Sequence, residues 1–164
     1  FVKERVGPIS LVLGFDGNTG KTSDGVYYEG QVPVIHARIG SEFAKGYLYA
    51  FFVDEHDQLI NFLPHTSRKN YALAGAGNVV GGLHDVQLTY EWLSNTNSTR
   101  AIKVGGPFGN AILVALATDR PIFSEIPIFG DNISQFAPDL KQALDKAKAG
   151  KFAYVLQPII TKPQ

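Results

Sequence analysis

With 164 residues, no cysteine and no methionine, the chain is long enough to bury a core without staples, and disulfides, thiolate metal sites and cysteine nucleophiles are excluded together. Its 15 Lys and Arg balance 15 Asp and Glu, so no basic field gathers phosphates and nucleic acid is not expected as a partner. The 17 Gly and 9 Pro, with heavy use of Val, Ile, Tyr and Phe, favour short strands joined by turns.

The absence of Met together with Phe1 in first place reads as a piece of a longer protein or a processed chain, so any signal peptide or anchor is expected outside it. No run approaches the ~18 apolar residues of a membrane-spanning helix, and no insertion into a membrane is expected of this segment.

Ile9 to Phe15 alternates Leu11, Leu13 and Phe15 against Ser10, Val12 and Gly14, which predicts an opening strand. It leads into the loop Asp16-Gly-Asn-Thr-Gly-Lys-Thr-Ser-Asp-Gly25. The end Gly20-Lys21-Thr22 is like a phosphate-binding loop, but that pattern needs a glycine where Phe15 stands and a helix directly after Thr22. Val26-Tyr-Tyr28 reads as a strand instead. Calcium ligation by Asp16, Asn18 and Asp24 fails as well, because Lys21 and Tyr27 occupy the positions where a calcium loop has its Gly and Glu. A tight turn is expected at Glu29-Gly30, then a strand from Val32 to Ile39 that Pro33 confines to an edge or to its own start.

Gly46-Tyr-Leu-Tyr-Ala-Phe-Phe-Val-Asp-Glu-His-Asp-Gln-Leu-Ile-Asn-Phe-Leu-Pro64 predicts a β-hairpin whose first strand is apolar on both faces, as in the middle of a covered sheet. Polar His65 to Asn70 follows, then a glycine-rich stretch with one short extended piece at Asn78 to Val80. His84 to Leu93 alternates most cleanly: Val86, Leu88, Tyr90 and Trp92 inward; Asp85, Gln87, Thr89 and Glu91 to water. Ser94 to Thr99 reads as a solvated loop carrying the sequon Asn97-Ser-Thr99. After the turn cluster Gly105-Gly-Pro-Phe-Gly109, the stretch Asn110 to Ala117 predicts a second central strand. Ile122 to Phe129 reads as irregular.

The period then changes. Phe136, Leu140, Ala143, Leu144 and Ala147 make one helical stripe over Phe136 to Ala149, with Pro138 and Asp139 in the first turn, lysines near the end and Gly150 as the stop. Phe152 to Ile160 predicts a closing strand, and Thr161 to Gln164 a loose tail.

Catalytic signatures do not emerge. His36, His56, His65 and His84 lack the close spacings of paired metal ligands, so neither metal nor cofactor is expected, and no Gly-x-Ser-x-Gly elbow occurs. The acidic break around His56 reads as a solvated tip. Most aromatics read as core, leaving Tyr27, Tyr28 and Tyr71 beside loops; with His56, Asp57 and His65 they form the expected partner or ligand surface.

The order of Tyr28-Glu-Gly30, Gly46-Tyr-Leu-Tyr49, the acidic hairpin, Leu63-Pro64, Gly106-Pro-Phe-Gly109 and Ala115-Leu-Ala-Thr-Asp-Arg-Pro121 resembles the bacterial family called domain of unknown function 4384, over about Val26 to Phe123. The chain departs from the family's usual pattern at the tip Glu55-His-Asp57, at His65 where an asparagine is usual, and in the helix and following strand. The resemblance implies an accessory module found beside peptidases, kinases or envelope lipoproteins. The expected architecture is a mainly β (α+β), immunoglobulin-like β-sandwich with one C-terminal amphipathic helix. It forms a single domain over 1–164, with a family-like core at 26–123 and a helix–strand addition at 134–160.

The expected function is non-catalytic binding of a protein partner, in the bacterial periplasm or outside the cell. The alternative is a carbohydrate-binding or hydrolytic domain whose site is assembled from Asp16, His56, Asp57 and His65.

Overall fold

The computed structural model describes residues 4–6, 9–15, 24–63, 71–74, 78–80, 82–92, 99–101, 104–122 and 131–164. In chain order the elements are β1 (Glu4–Val6), β2 (Ile9–Phe15), β3 (Val26–Tyr28), β4 (Pro33–Ile39), a short 3-10 turn (Ser41–Phe43), β5 (Tyr47–Asp54) and β6 (Gln58–Leu63). There follow β7 (Tyr71–Ala72), β8 (Asn78–Val80), β9 (Leu83–Gln87), β10 (Tyr90–Trp92), β11 (Thr99–Ala101), β12 (Gly109–Thr118), β13 (Asp131–Asn132), α1 (Ile133–Lys148) and β14 (Phe152–Lys162).

The chain is mainly β. A large sheet runs β1-β14-β12-β5-β6-β13, with β3 also on β14 and β7 on β5; a smaller one runs β2-β4-β9-β8; β10 and β11 form a separate ribbon.

The doubly apolar strands dictate the layering. On β5, Leu48 and Ala50 turn to one side and Tyr49 and Phe51 to the other, so a strand with no polar face must be covered twice. On one side, Leu113, Ala115 and Ala117 of β12 and Ala153, Val155 and Ile159 of β14 meet Ile9, Leu11, Leu13, Ile35, Ala37, Ile39 and Val86 of the smaller sheet. On the other, Tyr49, Phe51, Leu59, Leu116 and Ile122 pack against Ala143 and Ala147 of α1. Helix, large sheet and small sheet are thus three successive layers.

The expected hairpin is β5 and β6, paired antiparallel with an irregularity between Ala50 and Phe51. The predicted second central strand is β12, held between β5 and β14. Strands also stand at Ile9–Phe15, at Val26–Tyr28 where a phosphate-binding loop would need a helix, and at Asn78–Val80. Asn97 and Ser98 of the sequon and most of the 16–25 loop lie outside the described residues, and Thr99 begins β11.

The structure corrects several expectations. The tail is not loose: Thr161 and Lys162 belong to β14, which pairs in parallel with β3 through Thr161↔Tyr27 and Lys162↔Tyr28, and the Glu29 amide donates to the Lys162 carbonyl at 2.8 Å. Within the segment 134–160, β14 pairs with β12 along the whole length of β12.

The helix starts at Ile133, which leaves Pro138 inside it and the Ser134 carbonyl without its helical donor. Of its predicted stripe, Ala143 and Ala147 are buried while Leu144 is 40% exposed.

The strand predicted from His84 to Leu93 is two. β9 stops at Gln87, and β10 leaves to pair with β11. At the break Thr89 is buried rather than solvated. The Leu88 amide donates to the Ile35 carbonyl at 2.8 Å, and the Ile35 amide donates to the Thr89 hydroxyl at 3.2 Å, so a side-chain oxygen replaces the ladder carbonyl. Thr89→Val removes that acceptor and orphans a buried amide, so unfolding titrations should show a loss of about 1–3 kcal/mol, with Thr89→Ser close to the native value.

Tyr49 fastens the end of β12. The Ile122 amide donates to its hydroxyl at 3.1 Å, Thr118 is its other hydrogen-bond neighbour, and the Thr118 hydroxyl donates to the Arg120 carbonyl at 2.7 Å. Burial pushes the Tyr49 phenol up to about 12, against the opposing pull of these hydrogen bonds. An unfolded tyrosine ionises near ~10. Its contribution is therefore intact below about pH 10 and is lost as pH rises towards 12, with a slope nearing about 1.4 kcal/mol per pH unit. Tyr49→Phe should cost about 1–3 kcal/mol at neutral pH and flatten the alkaline fall in melting temperature.

Candidate functional site

Strand register gathers several turns at one end of the large sheet. Asp54 lies opposite Ala111, Gly109 opposite Thr161, and Lys162 opposite Tyr28. The β5–β6 turn, the approach to β12, the end of β14 and the turn after β3 therefore share that end.

The β5–β6 turn is built by Asp54. Its carboxylate Oδ1 accepts from the His56 and Gln58 amides, both at 2.9 Å, and its carbonyl accepts from the Asp57 amide at 3.2 Å. Asp57 takes a φ of 60°, a conformation Asp tolerates better than most residues. Glu55, His56 and Asp57 are all exposed. Glu55 lies across Gly109, where any Cβ would overlap its carboxylate, and its Oε2 faces the Asn110 amide and side-chain nitrogens at 3.4 Å each.

The expected turn at Glu29-Gly30 is the second element. The Gln31 amide donates to the Tyr28 carbonyl at 3.0 Å, with Gly30 at a φ of 87°. The turn is stitched to Val104 by two backbone bonds, Gly30 N–H to the Val104 carbonyl at 3.0 Å and Val104 N–H to the Gln31 carbonyl at 2.8 Å. Side chains cap the outer amides of β3: Asp24 accepts from Val26 at 3.2 Å and the Gln31 Oε1 from Tyr28 at 2.8 Å, which blunts that edge against another strand.

Tyr28 (43% exposed), His56 and Asp57 of the expected surface thus stand at one end of the sheet. Tyr27 does not join them: it is 1% exposed, and its hydroxyl donates to the Gly14 carbonyl at 3.0 Å, joining the two sheets. Tyr71 pairs with Leu48 near the opposite end of β5, and His65, like Asp16 of the alternative site, lies outside the described residues.

A polar cluster that no sequence motif announces lies on the outer face of the smaller sheet. β4 sets Arg38 opposite Asp85 and His36 opposite Gln87 on β9. His36 Nδ1 is 2.5 Å from Asp85 Oδ1. Arg38 Nε is 3.4 Å from Asp85 Oδ2 without hydrogen-bond geometry, which leaves that buried nitrogen unsatisfied. His36 and Asp85 are 49 positions apart, so only the strand register brings them together.

Elsewhere, the Lys151 amide and then Arg120 hold the Asp119 carboxyl below the usual carboxylate range, and the Asp119 amide donates to the Lys151 carbonyl at 3.1 Å, tying β12 to the start of β14. Among the described residues no three His, Asp or Glu side chains stand close enough to hold a metal ion, and no helix is long and apolar enough to cross a membrane. No family model, no curated protein and no solved structure matches the chain.

Proposed function

We propose that the chain is a non-catalytic interaction module of a bacterial envelope or secreted protein, akin to the domain of unknown function 4384 family, and that it holds a protein partner through the turns at one end of its large sheet. The scaffold reading that goes with this is an immunoglobulin-like sandwich, in which stiff layers present loops at their ends.

The observation that carries the proposal is that Tyr28, His56 and Asp57 stand at the same end of the large sheet, with β12 and β14 between their strands. Two turns remote in sequence, each fixed by its own hydrogen bonds, offer an exposed aromatic ring and polar groups along one end of the same sheet. Such preformed surfaces lose little conformational entropy on binding, and an exposed tyrosine suits a contact that is half apolar and half wet.

The test places a photo-crosslinking residue at Tyr28, at His56 and, as a control, at exposed Glu42 beside the far end of β5, in cells making the parent protein. One protein adduct shared by the first two positions, and lost on Asp57→Ala, is the expected result. Equal labelling from all three positions, or micromolar binding of a nucleotide or divalent metal by calorimetry, overturns the reading.

A further inference from the structure

We propose that the outer face of the four-stranded sheet carries a binding site for a small oxyanion, a carboxylate or phosphate group, gripped by Arg38 and His36 and oriented by Asp85. β4 is an inner strand of that sheet, so its outward residues are flanked on both sides: Arg38 stands between Ser10 and Asp85, and His36 between Val12 and Gln87.

The exposure of the three side chains is ordered in depth. The Asp85 side chain is 13% exposed, His36 34% and Arg38 41%. The acid lies beneath and the groups it holds lie above it, so an approaching ligand meets the guanidinium and imidazole before the carboxylate. Each Asp85 oxygen engages one inner edge: Oδ1 the Nδ1 of His36, Oδ2 the Nε side of Arg38. The His36 nitrogen left over is Nε2, and the guanidinium edge left over is its terminal pair of NH2 groups, a planar fork that matches two oxygens of a carboxylate or phosphate.

Asp85 does not exhaust Arg38. At 3.4 Å and without hydrogen-bond geometry the contact is a loose one, and Arg38 Nε remains unsatisfied. A pair serving only to fasten β4 to β9 is complete with His36 and Asp85 alone. The added arginine, restrained by the acid but not saturated by it, is an anion grip held ready. Gln87 beside His36 and Ser10 beside Arg38 supply neutral hydrogen-bonding groups at the rim.

The experiment follows the four histidine rings by proton–carbon NMR while inorganic phosphate, acetate or chloride is added at matched ionic strength. His36 resonances should shift saturably with phosphate or acetate at millimolar concentrations and not with chloride, while the exposed His56 in the same spectrum shows no matching saturation. Acetate as effective as phosphate identifies a carboxylate ligand; phosphate alone identifies a phosphoryl group. Arg38→Lys, which keeps the charge and loses the fork, should weaken binding about tenfold, roughly one charge-assisted hydrogen bond. The wild-type titration stands without any variant. A shift that chloride reproduces, one that never saturates, or an affinity unchanged in a folded Arg38→Lys protein overturns the site.

Discussion

Gly46→Ala is expected to cost about 3 kcal/mol or more and to lower the melting temperature by about 10 °C, although it adds a single methyl group to a residue outside any strand. Gly46 closes the 3-10 turn through its amide on the Phe43 carbonyl at 2.8 Å, and its own carbonyl accepts from the Leu73 amide at 2.9 Å. Between these bonds the chain is pressed against the end of β12, where a Cβ would overlap the Thr118 carbonyl oxygen. Backbone atoms must then move, because Thr118 is anchored three ways: it pairs with Tyr47, its hydroxyl holds the Arg120 carbonyl, and it neighbours the Tyr49 hydroxyl.

Gly105→Ala is the matched control. A Cβ there meets nothing within 4 Å, so its melting temperature should stay close to the native one. If Gly46→Ala melts alongside it, the close approach of the 3-10 turn to β12 is wrong.

How much of this was legible in the sequence follows from the range of the interactions. Tyr47 to Val53 and Asn110 to Ala117 were readable as doubly covered strands because an all-apolar run can be stable only between two layers, and the hairpin and the Glu29-Gly30 turn were readable because their chemistry is local. The Thr89 break was hidden by its own alternation, since the period continues through Tyr90 and Trp92 while the hydrogen bonding changes partner from β4 to β11. Thr161 and Lys162 lack apolar periodicity and gain order from partners far away in the chain, β3 in parallel on one side and, for Thr161, Gly109 of β12 on the other.

Pro138 misplaced the helix start for a related reason. The preference of proline for a first turn is a statistical one, whereas here Asp131 and Asn132 pair with β6 immediately before Ile133, where α1 begins. The candidate site divides the same way. His56 and Asp57 were visible as a polar tip between apolar strands, but the placing of Tyr28 at the same end of the sheet, Tyr27 as a buried link between sheets, and the His36, Arg38 and Asp85 cluster all depend on register, which no single segment encodes.

The layering itself is tested by a pair of adjacent residues. Leu113→Ala should destabilise the protein by about 2–5 kcal/mol, a large part of the ~5–15 kcal/mol that holds an ordinary domain together. Leu113 is fully buried at the middle of β12, between Phe52 of β5 and Gln157 of β14, on the face that meets the smaller sheet. Truncation removes its contacts with that layer and leaves a cavity that residues such as Ala115 and Ala153 are too small to refill.

Ile112, its neighbour, points to the helix side, towards the end where the tips gather, and is 37% exposed. Ile112→Ala should cost about 1 kcal/mol or less, because much of that side chain is already in water and no closed cavity forms. Chemical denaturation of the two variants at equal m-value gives the comparison directly. Similar losses at both positions, or the larger loss at Ile112, would contradict the layering; a strand between two layers, one complete and one ending short of the tips, requires the large loss at Leu113 and the small one beside it.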